Sequence, residues 1–91
     1  MASRTKAPRE SAQAMADRLL KTLAGNVKRA REERGMTQRE LAAVVKTSQR
    51  RIVMIETAIA NPTVLTLARL AKCLNRTVIE LLTPPPKKPE A

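Results

Sequence analysis

Gln49, Arg50 and Arg51 follow one another directly behind Ser48, and these side chains have the most chemistry to offer in the chain. A glutamine amide can hydrogen-bond an adenine edge twice, and an arginine fork can do the same to a guanine edge. Ser48 is a favourable helix N-cap. The three residues then fall in the first turn of a helix whose inner face carries Ile52 and Ile55. Two readings stay open for Gln49 and Arg50, base reading or an ordinary solvated polar face, and Arg51 suits either a base or a phosphate. Val53 and Met54 sit on or near the same outward face. Two readings stay open for them: apolar contact with thymine methyl groups, or partial burial, since methionine often fills gaps in a core.

A reader helix needs a partner to hold it. The run Met36-Thr37-Gln38-Arg39-Glu40-Leu41-Ala42 supplies one. Thr37 and Glu40 have the spacing of a capping box, which predicts a helix starting after Thr37 with Leu41, Ala42 and Val45 inward. Helix 1 is expected over about Ala16 to Arg34, with Leu20, Leu23, Val27 and Ala30 at helical spacing. Gly35 suits its C-terminal cap, and Gly25-Asn26 is a point where it could start late or bend. Helix 3 should run from Ser48 to near Thr57-Ala58. Asn61-Pro62-Thr63 breaks the chain and caps helix 4, with Val64, Leu67, Leu70, Ala71 and Leu74 inward. Thr77 and Glu80 repeat the capping box for helix 5, where Leu81 and Leu82 close the core. No segment alternates like a strand. The reading is all-α: a compact five-helix domain over residues 16–82, between a basic flexible arm (1–15) and a stiff Pro/Lys-rich tail (83–91).

Composition narrows the partners. Ninety-one residues suffice for one small domain, and a second copy would help it bury apolar surface. Eighteen Lys and Arg against eight acids, a formal net charge of +10, favour an anionic partner. There is no run long enough to span a bilayer and no secretory h-region. Histidine is absent, Cys73 is the only cysteine and Asp17 the only Asp. No intrachain disulfide, Cys-based metal site or catalytic constellation can be written from that set, and zinc would need carboxylates, so the expectation is a non-enzyme without metal or cofactors. The lack of aromatic residues lowers single-strand and base-specific RNA binding, which rely on stacking.

The order and spacing of Thr37-Gln38, Glu40-Leu41-Ala42, Ser48, Ile52, Ile55-Glu56, Asn61-Pro62, Thr66-Leu67, Leu70-Ala71, Leu74 and Glu80-Leu81-Leu82 resemble the lambda-repressor-like, or XRE, helix-turn-helix family over about residues 19–82. The Met54-Ile55-Glu56 run and the Val64-Leu65 pair also look somewhat like small controller proteins of restriction-modification systems. The family resemblance implies a five-helix domain, usually dimeric, on operator DNA. It implies that Gln49 and Arg50 are the principal base readers, that Gln38 contacts phosphate rather than being a plain exposed helical glutamine, that Met54 contacts a base, and that Arg31 and Glu56 form a structural salt bridge. Thr37, Arg39, Lys46 and Ser48 join Gln38 as candidate phosphate contacts, with ordinary surface charge equally open for Arg39 and Lys46. Leu65 and Ile79 stand where relatives are usually polar; with Leu82 they are the candidate dimer interface, or else scattered surface hydrophobes. Two departures matter. Lys46, in the turn between helices 2 and 3, stands where the family usually has glycine, and the family often has glycine near Ala58; a left-handed backbone at Lys46 would cost roughly 1 kcal/mol relative to glycine.

The function expected is a sequence-specific double-stranded-DNA-binding transcriptional regulator, a cytoplasmic, nucleoid-associated homodimer on a pseudo-palindromic operator. An antitoxin that also binds its operator is the alternative. Toxin or RNA polymerase is a conceivable protein partner, and a shape-reading RNA or general nucleoid binder a third possibility.

Overall fold

In the computed structural model, residues 9–86 are described. They form α1 (Ala12–Glu33), α2 (Gln38–Val45), α3 (Gln49–Glu56), α4 (Val64–Leu74) and α5 (Val78–Leu82), with no strand among them. The arm residues 1–8 and tail residues 87–91 lie outside the described part.

Each helix begins where a hydroxyl side chain can accept a backbone N–H. Ser11, Thr37, Ser48, Thr63 and Thr77 cap α1 to α5 in turn. At α2 and α5 the cap is reciprocal. Glu40 Oε1 accepts the Thr37 N–H at 2.8 Å, and Glu80 Oε1 accepts the Thr77 N–H at 2.8 Å. Helix ends are equally regular. Gly35, Lys46, Ala58 and Asn75 all adopt left-handed backbone, and the following N–H groups turn back onto the last carbonyls. Ala58 N–H donates to the Ile55 carbonyl at 3.1 Å and Ile59 N–H to that of Met54 at 2.9 Å. This is a Schellman closure. Only one of the four positions is glycine, so Lys46 and Ala58 carry a backbone penalty of ~1 kcal/mol each.

Two features of α1 depart from expectation. It begins at Ala12, four residues before the expected start, so the boundary between residues 15 and 16 falls inside the helix. Ser11 is the cap, and Ala12, Ala14 and Ala16 continue readily from it as strong helix formers. Glu10 reaches two turns up to pair with Arg18. Nor is the helix interrupted at Gly25-Asn26. Asn26 is buried, with its Nδ2 donating to the carbonyls of Glu80, Leu81 and Thr83 at 3.2, 2.9 and 2.9 Å. A side chain of α1 thereby satisfies the C-terminal carbonyls of α5, a short helix that has few other ways to do so. Arg29 Nη1 donates to Asn26 Oδ1 at 2.9 Å, leaving no doubt which way the amide points.

The core is aliphatic: Leu23, Val27, Leu41, Val45, Ile52, Ile55, Leu70, Leu74 and Leu81 are fully buried. Leu20, Leu67, Cys73 and Leu82 are half-buried and pack on it. Val64, expected inward, is instead 78% exposed. It lies on the same stripe as Leu67 and Ala71 but is the first residue of α4. Side chains lean toward a helix's N-terminus, so Val64 overhangs the end of the core. α1 packs on α3, α4 and α5, and α2 on α3 and α4.

Replacing Ala58 with glycine removes a left-handed alanine and should raise stability by about 1 kcal/mol, measured as the urea midpoint. A drop in midpoint would contradict the strain argument. The capping carboxylates make the acid limb of stability predictable as well. Hydrogen bonds from Thr37 hold Glu40 below its ordinary value of 4.5, and those from Thr77 do the same for Glu80. The stability they contribute is present above about pH 4.5 and is lost as pH falls through the lower folded values. Converting both to Gln should flatten the acid limb of a stability–pH curve; an unaltered limb would assign it to other groups.

Candidate nucleic-acid interface

The geometry of the site starts from the inner side of α3. Ile52 and Ile55 are buried in the core, and Glu56 is tied across to α1. Arg31 Nε donates to Glu56 Oε2 at 2.7 Å and Arg31 Nη2 to Oε1 at 3.1 Å. The two side chains are only 11% and 3% exposed. The remaining arm of Arg31 donates from Nη1 to the Met36 carbonyl at 2.7 Å, and Gln38 Nε2 donates to Glu56 Oε1 at 3.1 Å. The carboxylate raises the Arg31 guanidinium further above its ordinary value. One charged cluster therefore connects α1, the entry to α2, α2 itself and α3.

With that inner edge fixed, the opposite arc of α3 faces outward. Gln49, Arg50 and Arg51 are exposed, and Val53 is 37% exposed. Met54 is half-buried and packs against the core, which places it at the margin of this face rather than in its middle. The Ser48 hydroxyl accepts the Arg51 N–H at 3.1 Å and the Thr37 hydroxyl accepts the Glu40 N–H at 3.0 Å. Each hydroxyl proton remains available to donate to an anion. Arg39 and Lys46 are exposed. Gln38 is half-buried; its amide nitrogen is engaged by Glu56, which leaves the amide oxygen and the second N–H for other contacts.

The local backbone explains why the α2–α3 turn is so short. Lys46 adopts φ 64°, ψ 51°, and Thr47 N–H returns to the Ala42 carbonyl at 2.9 Å. The chain reverses within Lys46-Thr47-Ser48 and α3 starts at once. Charge follows the same geometry. From residue 34 to residue 55 the cations are Arg34, Arg39, Lys46, Arg50 and Arg51, and the only acid is Glu40, whose carboxylate is occupied by its cap. The surface is thus a short helix pair with cationic and amide side chains on one helix, and hydroxyl-capped N-termini beside them. Such a surface suits a phosphate backbone flanking a groove of base edges.

Residues 27–81 match the Helix-turn-helix (HTH_3) family. The chain belongs to this helix-turn-helix family. It is 39% identical over 69 residues to the HTH-type transcriptional regulator y4dJ of Sinorhizobium fredii (strain NBRC 101917 / NGR234), spanning 76% of this chain and 90% of that protein. Among solved structures it is similar to a hypothetical transcription factor, NHTF, from Neisseria, with a TM-score of 0.73, 25% identity and 88% of each chain covered. It is also similar to the clp gene regulator ClgR from Corynebacterium glutamicum, with a TM-score of 0.67, 25% identity, and 70% of this chain and 68% of that one covered. The helix-turn-helix family match begins at Val27, inside α1, so the first fifteen residues of that helix precede it.

The other candidate residues lie elsewhere. Leu65 and Ile79 are 58% and 77% exposed, on α4 and α5, and Leu82 is half-buried beside the core. Sequence reasoning missed Asn26, which it treated as a weak point in α1. The only signal was an amide at a position where helical spacing calls for an inward residue, between Leu23 and Ala30.

Removing one partner of the buried pair should be expensive. Glu56→Ala leaves the Arg31 guanidinium buried without a countercharge and should lower stability by about 3 kcal/mol or more. The paired change Arg31→Met with Glu56→Leu should recover a large part of that loss. Equal urea midpoints for the single and paired variants would show that packing, not the uncompensated charge, sets the effect.

Proposed function

We propose that this helix-turn-helix protein is a transcriptional regulator that reads a specific sequence in double-stranded DNA, with Gln49 and Arg50 as the principal base readers. The observation that carries the reading is the division of α3. One edge is locked by Ile52, Ile55 and the Arg31–Glu56 pair, and the other presents Gln49, Arg50 and Arg51 to solvent. A rigidly held helix with outward amide and guanidinium groups is what base-edge readout in a major groove requires. Arg51 serves a base or a phosphate, and Val53 touches thymine methyls from the same arc. Met54, half-buried, contributes at the edge.

Thr37, Gln38, Arg39, Lys46 and Ser48 form the proposed phosphate-binding set around the ends of α2 and α3. The likeness to y4dJ, whose name describes an HTH-type transcriptional regulator, supports the regulatory role. We further propose a homodimer, which sets two α3 helices in successive major grooves about 34–36 Å apart on a pseudo-palindromic site. A DNA-bound regulator of this kind works in the cytoplasm, on the nucleoid. None of the described helices is long and apolar enough to cross a membrane.

The test is selection of bound fragments from random duplex DNA at near-physiological salt. An enriched palindrome with half-sites one turn apart is expected; salt-sensitive binding without enrichment would overturn sequence reading. On the selected site, Gln49→Ala or Arg50→Ala should cost about 1–3 kcal/mol and relax preference at defined bases. Lys46→Ala should instead weaken all sequences alike and lower the salt slope by about one. Uniform weakening by the Gln49 and Arg50 variants would move those residues to the phosphate set.

A further inference from the structure

We propose that the cavity between α1, α5 and the first prolines of the tail binds a small monocarboxylate with an apolar body. The inference is independent of the DNA reading, since no residue assigned to the DNA surface lines this cavity. Its volume is about 330 Å³, within the range of small-ligand sites. One wall is α1, whose Asn26, Arg29, Ala30 and Glu33 share a face by their spacing. Leu81 of α5 and Pro84, Pro85 and Pro86 supply apolar surface. The prolines are held there by the residue before them. Thr83 is extended, its carbonyl accepts from Asn26 Nδ2 at 2.9 Å, and its hydroxyl donates to the Ile79 carbonyl at 2.6 Å.

Four charged side chains line the cavity: Arg29, Glu33, Arg76 and Glu80. Three of them are engaged. Arg76 Nη2 pairs with Glu33 Oε1 at 3.5 Å, and Glu80 Oε1 accepts the Thr77 N–H at 2.8 Å. Arg29 is different. Among the described residues no carboxylate lies within ion-pair distance of it. Its Nη1 donates to a neutral acceptor, Asn26 Oδ1, at 2.9 Å. That acceptor is held in place, because Asn26 is buried and its Nδ2 is bonded to three carbonyls. The exposed guanidinium is therefore steadied at one nitrogen. Its Nε and Nη2 remain for a carboxylate, which accepts two parallel N–H bonds from such a fork.

The remaining lining selects the rest of the ligand. Two cations and two carboxylates face the cavity, so their charges cancel. Glu33 and Glu80 repel an anion in proportion to its charge. A single carboxylate gains more from Arg29 than it loses to them, whereas phosphate or a dicarboxylate meets twice the repulsion. A nucleic-acid strand is disfavoured on the same ground. Ala30, Leu81 and the three prolines offer no hydrogen-bond donor from their side chains, so the body beyond the carboxylate must be apolar. One anchoring charge beside apolar walls is the usual make-up of a small-molecule site.

The experiment titrates the full, nitrogen-15-labelled chain with sodium benzoate at constant ionic strength and follows its amide resonances. Benzamide, of the same shape without the charge, and inorganic phosphate are titrated alongside. Benzoate should give saturable shifts at the Asn26 side chain, Arg29, Leu81 and Thr83, with half-saturation at about 1 mM, as expected for so small a ligand. Benzamide should bind about tenfold more weakly or less, and phosphate should give no saturable shift at these positions. Arg29→Gln should lower benzoate affinity about tenfold, while Lys21→Gln, on α1 but outside the cavity lining, leaves it unchanged. Equal binding of benzoate and benzamide by the parent chain would overturn the role of Arg29 without any variant being needed. Shifts spread alike over all cationic positions, or no saturable shift, would overturn the site itself. The DNA reading is decided separately, by the fragment selection.

Discussion

The buried ion pair between Arg31 and Glu56 is the constraint on which the rest of this small domain depends. An isolated buried charge is so unfavourable that each side chain must keep the other within hydrogen-bond reach. The pair also uses its remaining capacity locally: Arg31 donates to the Met36 carbonyl, and Glu56 accepts from Gln38. Hydrophobic contacts hold α3 against the core but are tolerant of small rotations. A bidentate guanidinium–carboxylate contact is not. It fixes the rotation of α3 about its own axis, and that rotation decides which residues face outward. The orientation of Gln49 and Arg50 is therefore set by a contact neither of them makes.

A second theme is how little material the fold uses. With no aromatic residue in the chain and a core of Leu, Ile, Val and Ala, stability must come from close aliphatic packing and from well-finished helices. Every helix has a hydroxyl cap, two have reciprocal boxes, and α5, too short to hold itself, borrows Asn26 from α1. Left-handed backbone at Lys46 and Ala58 works against this. At Lys46 there is a compensation of another kind: the penalty keeps a cation in the turn that leads into α3, where a glycine would supply none.

The surface divides by charge. The α2–α3 side is cationic and short of acids, while the open cavity where α1, α4 and α5 meet is lined by apolar side chains and Asn61, with no charged residue. The extended α1 belongs to this second face. Its early turns contribute little to the buried core, yet they build one wall of the cavity.

Much of this was legible in the residues alone. Four of the five helix starts follow from Thr37, Ser48, Thr63 and Thr77 as caps, and the end of α1 from Gly35, because capping is local chemistry between a residue and its near neighbours. The inward stripes of α2 and α3 were legible for the same reason: helical periodicity assigns a face without reference to the rest of the fold. What the residues could not reveal by periodicity was where each face ends. Val64 lies on the right stripe but beyond the core, Met54 falls at the edge rather than the middle of the outward arc, and Asn26 is buried because α5 happens to end above it. α1 starts at Ala12 rather than near Ala16, behind a Ser11 cap that the basic, proline-containing sequence before it obscured. The local caps and periods were determined by sequence, since they depend on residues three or four apart. The burial of Asn26 and the shape of the cavity beside α1 were decided only by tertiary structure, since each depends on which residue from a distant helix arrives to cover it.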